Sequence, residues 1–172
     1  AIITKIAAVV PIDIRAVSIN TFLSPLFAAA AEKTLAGSDP IAENRTAFLT
    51  LATYLNKESI TQLIGEEAAA KIEPAPFVEA RLLRRQDLAQ HLVSIAAITA
   101  SAGADLAQML STTKEAYDAR YRSGFSFSDL TANSVGVTIA RLATTDPDTA
   151  KIMQARLASL QNESDYMPQV GN

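Results

Sequence analysis

The chain has 172 residues, 49% hydrophobic and 19% charged, with one histidine, no cysteine and a formal net charge of −3. That length suits one domain with a sizeable core, and that balance excludes a disordered tail as the main state. The absence of cysteine removes disulfides, thiolate metal sites and a cysteine nucleophile, and the slightly acidic balance provides no footprint for nucleic acid.

The first residue is Ala rather than Met, which raises the expectation of a processed or trimmed chain, with a secretion signal or lipid anchor as candidates for what was removed. Residues 16–31 and 88–104 carry no Asp, Glu, Lys or Arg. Both runs fall short of the roughly 20 residues a spanning helix needs. Pro25 interrupts the first and His91 the second, so we read them as buried helices of a bundle.

In chain order, the opening AIITKIAAVVPID alternates weakly and is either a short extended segment or a frayed helix. Helical spacing of Val17, Phe22, Leu26 and Ala30 predicts a helix over 14–35, kinked or broken at Pro25 and ended by Gly37. Asp39-Pro40 is a start signal, because Asp39 can accept from free N–H groups and Pro40 has none to lose. Ala47, Phe48, Leu51, Ala52 and Leu55 mark the buried stripe of the helix that follows. A further helix is expected from Asn56 to the PAP sequence at 74–76, where the prolines force the principal connection. Residues 77–85 read as an extended arm or a helical turn, placed on the surface by their charge.

The helix expected over 86–102 carries the histidine and is apolar nearly all round, which makes it central and His91 substantially buried. Asp87 and Ser94 lie about one turn to either side of His91, so either can orient the imidazole by a hydrogen bond. On the next predicted helix Glu115 and Asp118 are three apart and share a face. Two close carboxylates can share a proton or a hard cation. The plainer reading is a solvated face in which Asp118 balances Lys114 and Arg122.

After the turn at Ser123-Gly124, Ser126 and Asp129 match a capping box, with Ser128 a rival cap. Asp129, Asn133 and Gly136, spaced by four and three, also line one helical face, with Gly136 admitting a close neighbour. Phe125 and Phe127 are expected to pin the turn to the core. Asp146-Pro147 starts the last helix, with Ile152, Met153, Leu157 and Leu160 as its stripe. These elements predict an all-α fold, a compact orthogonal or irregular bundle of about six to eight helices in a single domain over 1–172, with a loose tail from about 163.

The stretches ENRTAFLTLATYL, QHLVSIAA, KEAYD and SGFSFSDLTANSVG together resemble a group of uncharacterised proteobacterial proteins, often predicted to be envelope proteins, over residues 43–140. More distantly, His91-Leu92, Glu115 and the Asp129 to Gly136 pattern Asp-x-x-Ala-Asn-x-x-Gly are similar to elements of VanZ-like membrane proteins, with Leu92 in place of an aromatic. Both likenesses imply that His91, Glu115, Asp118 and Asp129 belong to one site. The first likeness also implies a periplasmic or envelope location with an envelope protein or cell-wall partner, and together with the expectation of a lost anchor it makes peripheral or lipid-anchored association with a membrane the expected mode of attachment.

Two functions of different class follow. In one, the chain is a non-catalytic envelope module whose His/carboxylate cluster locks helices together; no GxSxG or HExxH motif is present. In the other, the same four residues form an acid–base or metal-assisted hydrolytic site, without an organic cofactor and with Mg, Mn or Zn as the candidate divalent ion. The basic group Arg81, Arg84 and Arg85 reads as a solvated charge run, with an anionic partner as the alternative.

Overall fold

The computed structural model describes residues 2–57, 66–69, 76–102 and 127–169. In chain order these form α1 (Ile2–Ala8), β1 (Ala16–Ser18), α2 (Asn20–Leu35), α3 (Pro40–Leu55), a single helical turn (Glu66–Ala69), β2 (Glu79–Arg81), α4 (Gln86–Ala102), α5 (Phe127–Thr144), α6 (Pro147–Ala158) and a 3-10 turn (Glu163–Asp165). The fold is an all-α bundle. Its β component among the described residues is the two-stranded parallel ribbon β1–β2.

Local chemistry explains the helix starts. Asp39 accepts from the Ala42 N–H at 3.1 Å and Asp146 from the Thr149 N–H at 2.9 Å, each followed by a proline in the first turn. Such a cap contributes about 1 kcal/mol by satisfying a donor that the helix itself cannot. The opening segment resolves as helix α1. In α2 the chain stays helical through Pro25, neither ending nor restarting there, although Pro25 has no N–H to give to the Thr21 carbonyl.

Packing orders the helices into a bundle. Rings of Phe27 and Phe48 meet edge-on at 4.9 Å, and those of Phe22 and Tyr54 at 5.2 Å, so α2 and α3 run antiparallel. Arg45 Nε donates to the Ala100 carbonyl at 2.8 Å, and Gln90 Nε2 to the Leu55 carbonyl at 3.1 Å, so α3 and α4 are antiparallel too. Buried amides tie the remaining ends. Asn44 Nδ2 donates to the carbonyls of Ala143 and Ala150, joining α3 to α5 and α6, while Gln154 Nε2 donates to Thr34 Oγ1 at 2.9 Å. One apolar cluster containing Phe22, Phe27, Phe48, Leu51, Leu88 and Leu92 runs through these contacts.

Four expectations are corrected. The helix predicted from residue 14 begins at Asn20, because 16–18 pair instead with 79–81 in the register Ala16↔Glu79, Val17↔Ala80 and Ser18↔Arg81. The arm 77–85 is not simply a surface segment: Ala80 and Leu82 are buried, alternating with half-buried Glu79 and exposed Arg81. In α6 the buried face is Ala150, Met153, Gln154 and Leu157, a regular i, i+3, i+4, i+7 stripe, and Ile152 lies off it and is exposed. Finally, the tail is not loose from Glu163. Glu163 accepts from Ser18 Oγ and the Leu83 N–H, Tyr166 donates its hydroxyl proton to Asn20 Oδ1 at 2.7 Å, and Met167 is fully buried.

Candidate polar site at the start of two parallel helices

The site begins at a strained turn. Leu82 and Arg85 exchange both backbone hydrogen bonds at 3.0 Å, which closes a two-residue hairpin whose central residues, Leu83 and Arg84, have φ of 50° and 66°. Such tight hairpins usually place Gly or Asn there. Here two ordinary L-residues occupy the left-handed region, at a cost of about 1–2 kcal/mol each. Arg85 leaves this turn at the threshold of α4.

Its guanidinium spans two helices. Arg85 Nε donates to Asp87 Oδ1 at 3.0 Å, and Nη2 donates both to Asp87 Oδ2 and, at 3.1 Å, to Asp129 Oδ1. Asp87 lies in the first turn of α4 and Asp129 in the first turn of α5. One cation thus sits against two carboxylates, each near the positive end of a helix. The two acids differ in exposure: the side chain of Asp129 is 17% exposed and that of Asp87 is 52% exposed. Hydrogen bonds from Arg85 hold the Asp87 carboxyl below its ordinary range against the opposing effect of desolvation, with a smaller contribution from the field of His91. Asp87 in turn raises the pKa of Arg85.

Because both ends of the contact lie at helix starts, α4 and α5 run parallel. Two turns along α5, Gly136 meets α4 directly. A Cβ at this position would stand 2.6 Å from the Leu92 carbonyl oxygen and 3.3 Å from Ile95 Cγ2, so only glycine allows the observed approach. Asn133 is buried on the same face, one turn before Gly136. The expected Asp129, Asn133, Gly136 face is therefore the one α5 turns toward α4.

His91 is partly buried on α4, one turn after Asp87 and beside fully buried Leu92. Of the two residues able to orient it, Asp87 is engaged by Arg85 through both oxygens, and Ser94 Oγ accepts from Asn56 Nδ2 at 3.0 Å. The structure therefore brings Asp129 to the Arg85–Asp87 pair at the head of the helix that carries His91. Glu115 and Asp118 lie outside the described residues, as do Phe125 and Ser126. Phe127 does not pin the turn to the core: it is 75% exposed.

Arg85 is the residue the sequence reading missed. Its signal in the sequence is Arg-x-Asp across a helix start, which by charge pattern alone reads as a solvated run. A carboxylate kept ionised by a bidentate arginine makes a weak proton acceptor and a good structural anion. Among the described residues, no three His, Asp or Glu side chains gather closely enough to hold a metal ion, and no helix is long and apolar enough to cross a membrane. No protein-family model, curated protein or solved structure matches this chain.

Proposed function

We propose that this chain is a non-catalytic helical module of the cell envelope, in which the polar cluster around His91 joins helices instead of transforming a substrate. The observation that supports this reading best is the shared guanidinium of Arg85, which engages Asp87 on one helix and Asp129 on its neighbour. Both acids are thereby committed to a cation of the protein itself. The envelope assignment draws on the resemblance carried by QHLVSIAA, KEAYD and SGFSFSDLTANSVG.

Chemical denaturation of His91→Ala and Arg85→Met tests the locking role. Both should lower stability, the histidine variant by about 1–2 kcal/mol for a lost partly buried hydrogen-bonding group. A His91→Ala protein of full stability that had lost a measurable hydrolytic activity would favour the acid–base reading instead. The location is tested separately by fractionating cells that express the protein from its natural gene, and recovery in the cytoplasm alone would remove the envelope assignment.

A further inference from the structure

We infer that the C-terminal segment Glu163–Met167 is a strap that sets the position of Arg85, so that the tail and the polar site form one conformational unit. This rests on the reading of Arg85 as the tie between α4 and α5. The strap engages the molecule at three places. Glu163 Oε1 accepts from the Leu83 N–H at 2.8 Å and Oε2 from Ser18 Oγ at 2.6 Å, Tyr166 reaches Asn20 at the start of α2, and Met167 is buried completely. Asp165 accepts from the N–H groups of Gln161 and Asn162, which gives the strap a closed turn of its own.

The place where Glu163 binds decides what it controls. In the hairpin closed by Leu82 and Arg85, the two mutual backbone bonds leave the Leu83 N–H pointing away from the turn, and the carboxylate takes it. Its second oxygen holds Ser18, the strand partner of Arg81, so one side chain clamps both the ribbon and the turn that leaves it. Leu83 and Arg84 are held at positive φ, a conformation that L-residues leave when released. Relaxation of Arg84 to ordinary helical geometry would rotate its φ by roughly 120°. Arg85 is the next residue, and such a rotation carries its guanidinium away from Asp87 and Asp129.

The Arg85 side-chain Nε–H resonance of the full chain tests this, measured in Glu163→Gln, which keeps one acceptor where the carboxylate has two, and in Ser18→Ala. We expect Nε–H exchange at least tenfold faster in Glu163→Gln and an intermediate increase in Ser18→Ala. In a double-mutant cycle, the stability lost through Arg85→Met should largely disappear in the Glu163→Gln background. An unchanged Arg85 resonance together with faster exchange of the Leu83 amide would overturn the strap, as would additive effects in the cycle. Loss of stability in Arg85→Met with additive behaviour leaves the tie standing and removes only the strap. An Arg85→Met protein of unchanged stability removes the tie, and with it the strap. Should Glu163→Gln fail to fold, Ser18→Ala decides by the same resonance: a shift supports the strap and an unchanged signal refutes it.

Discussion

Helices α4 and α5 meet in two ways, two turns apart. At Gly136 they meet by shape, with no room for a single carbon between that residue and the Leu92 carbonyl. At Arg85 they meet by charge, through an arginine side chain 41% exposed to solvent. The difference teaches where stability and specificity reside in this pair. Close apolar packing tolerates no change of volume, whereas a solvent-reached ion pair is screened and contributes little energy while still fixing register.

The largest effect expected on the shape side comes from Leu92→Ala. Leu92 is fully buried beside the partly buried His91, so the two neighbours compare dry and polar contributions on a single turn. Unfolding titrations should show a loss of about 2–5 kcal/mol, the transfer term plus the cavity. A loss no larger than that of His91→Ala would break the comparison.

Gly136→Ala should follow, with a net loss of about 1–2 kcal/mol: overpacking against a backbone carbonyl costs about 1–3 kcal/mol, and alanine recovers up to about 1 kcal/mol of helix propensity. Because the obstructing atom belongs to the backbone, it cannot swing aside as a side-chain end would. A stabilised variant would show that the helices separate freely and that the seam is not the rigid half of the pair.

On the charge side, Arg85→Met should cost about 0.2–1 kcal/mol at low ionic strength, typical of exposed pairs. The cost should shrink further in 1 M salt, where screening acts over only about 3 Å. Denaturation of both proteins across a salt series measures it. A loss as large as that of Leu92→Ala, unaffected by salt, would mean that this corner behaves as a buried ion pair.

Legibility in the sequence divides along similar lines. The Asp39-Pro40 and Asp146-Pro147 starts, the span of α4 and the α4-facing positions Asp129, Asn133 and Gly136 were readable because caps and helical periods are written within a few residues. The β1–β2 ribbon was not, since Ala16–Ser18 is too short to show alternation and its partner lies some sixty residues on. Glu163 and Met167 read as a loose tail for the same reason: what holds them is Ser18, Leu83 and the core, all remote in sequence. Hydrophobicity alone selected Ile152 over Gln154, although the amide is buried because Thr34 and Pro40 supply acceptors that no local pattern reveals. Arg85 was undervalued because one of its two acids, Asp129, lies on another helix.

The smallest effect, and the most diagnostic of charge, concerns acid. Arg85 first, with His91 adding to it, holds the Asp87 carboxyl below its ordinary value of 3.8. A depressed acid binds fewer protons folded than unfolded, so its contribution is present above the unfolded pKa and disappears as pH falls through the lower folded value. Asp146 and Asp165 are also depressed, by backbone N–H groups at the α6 start and in the strap, so acid weakens the wild-type protein at several places. Subtracting the Asp87→Asn variant isolates the corner. The wild-type protein should melt slightly higher from neutral pH down to about 5, where unfolded aspartates remain ionised. The gap should then narrow through the carboxylate range and vanish once Asp87 is protonated in the folded protein as well. A gap that widened toward acid would mean that Asp87 is destabilised as an anion, which would reverse the sign of the electrostatic half of the comparison and leave Gly136 alone to fix how the two helices meet.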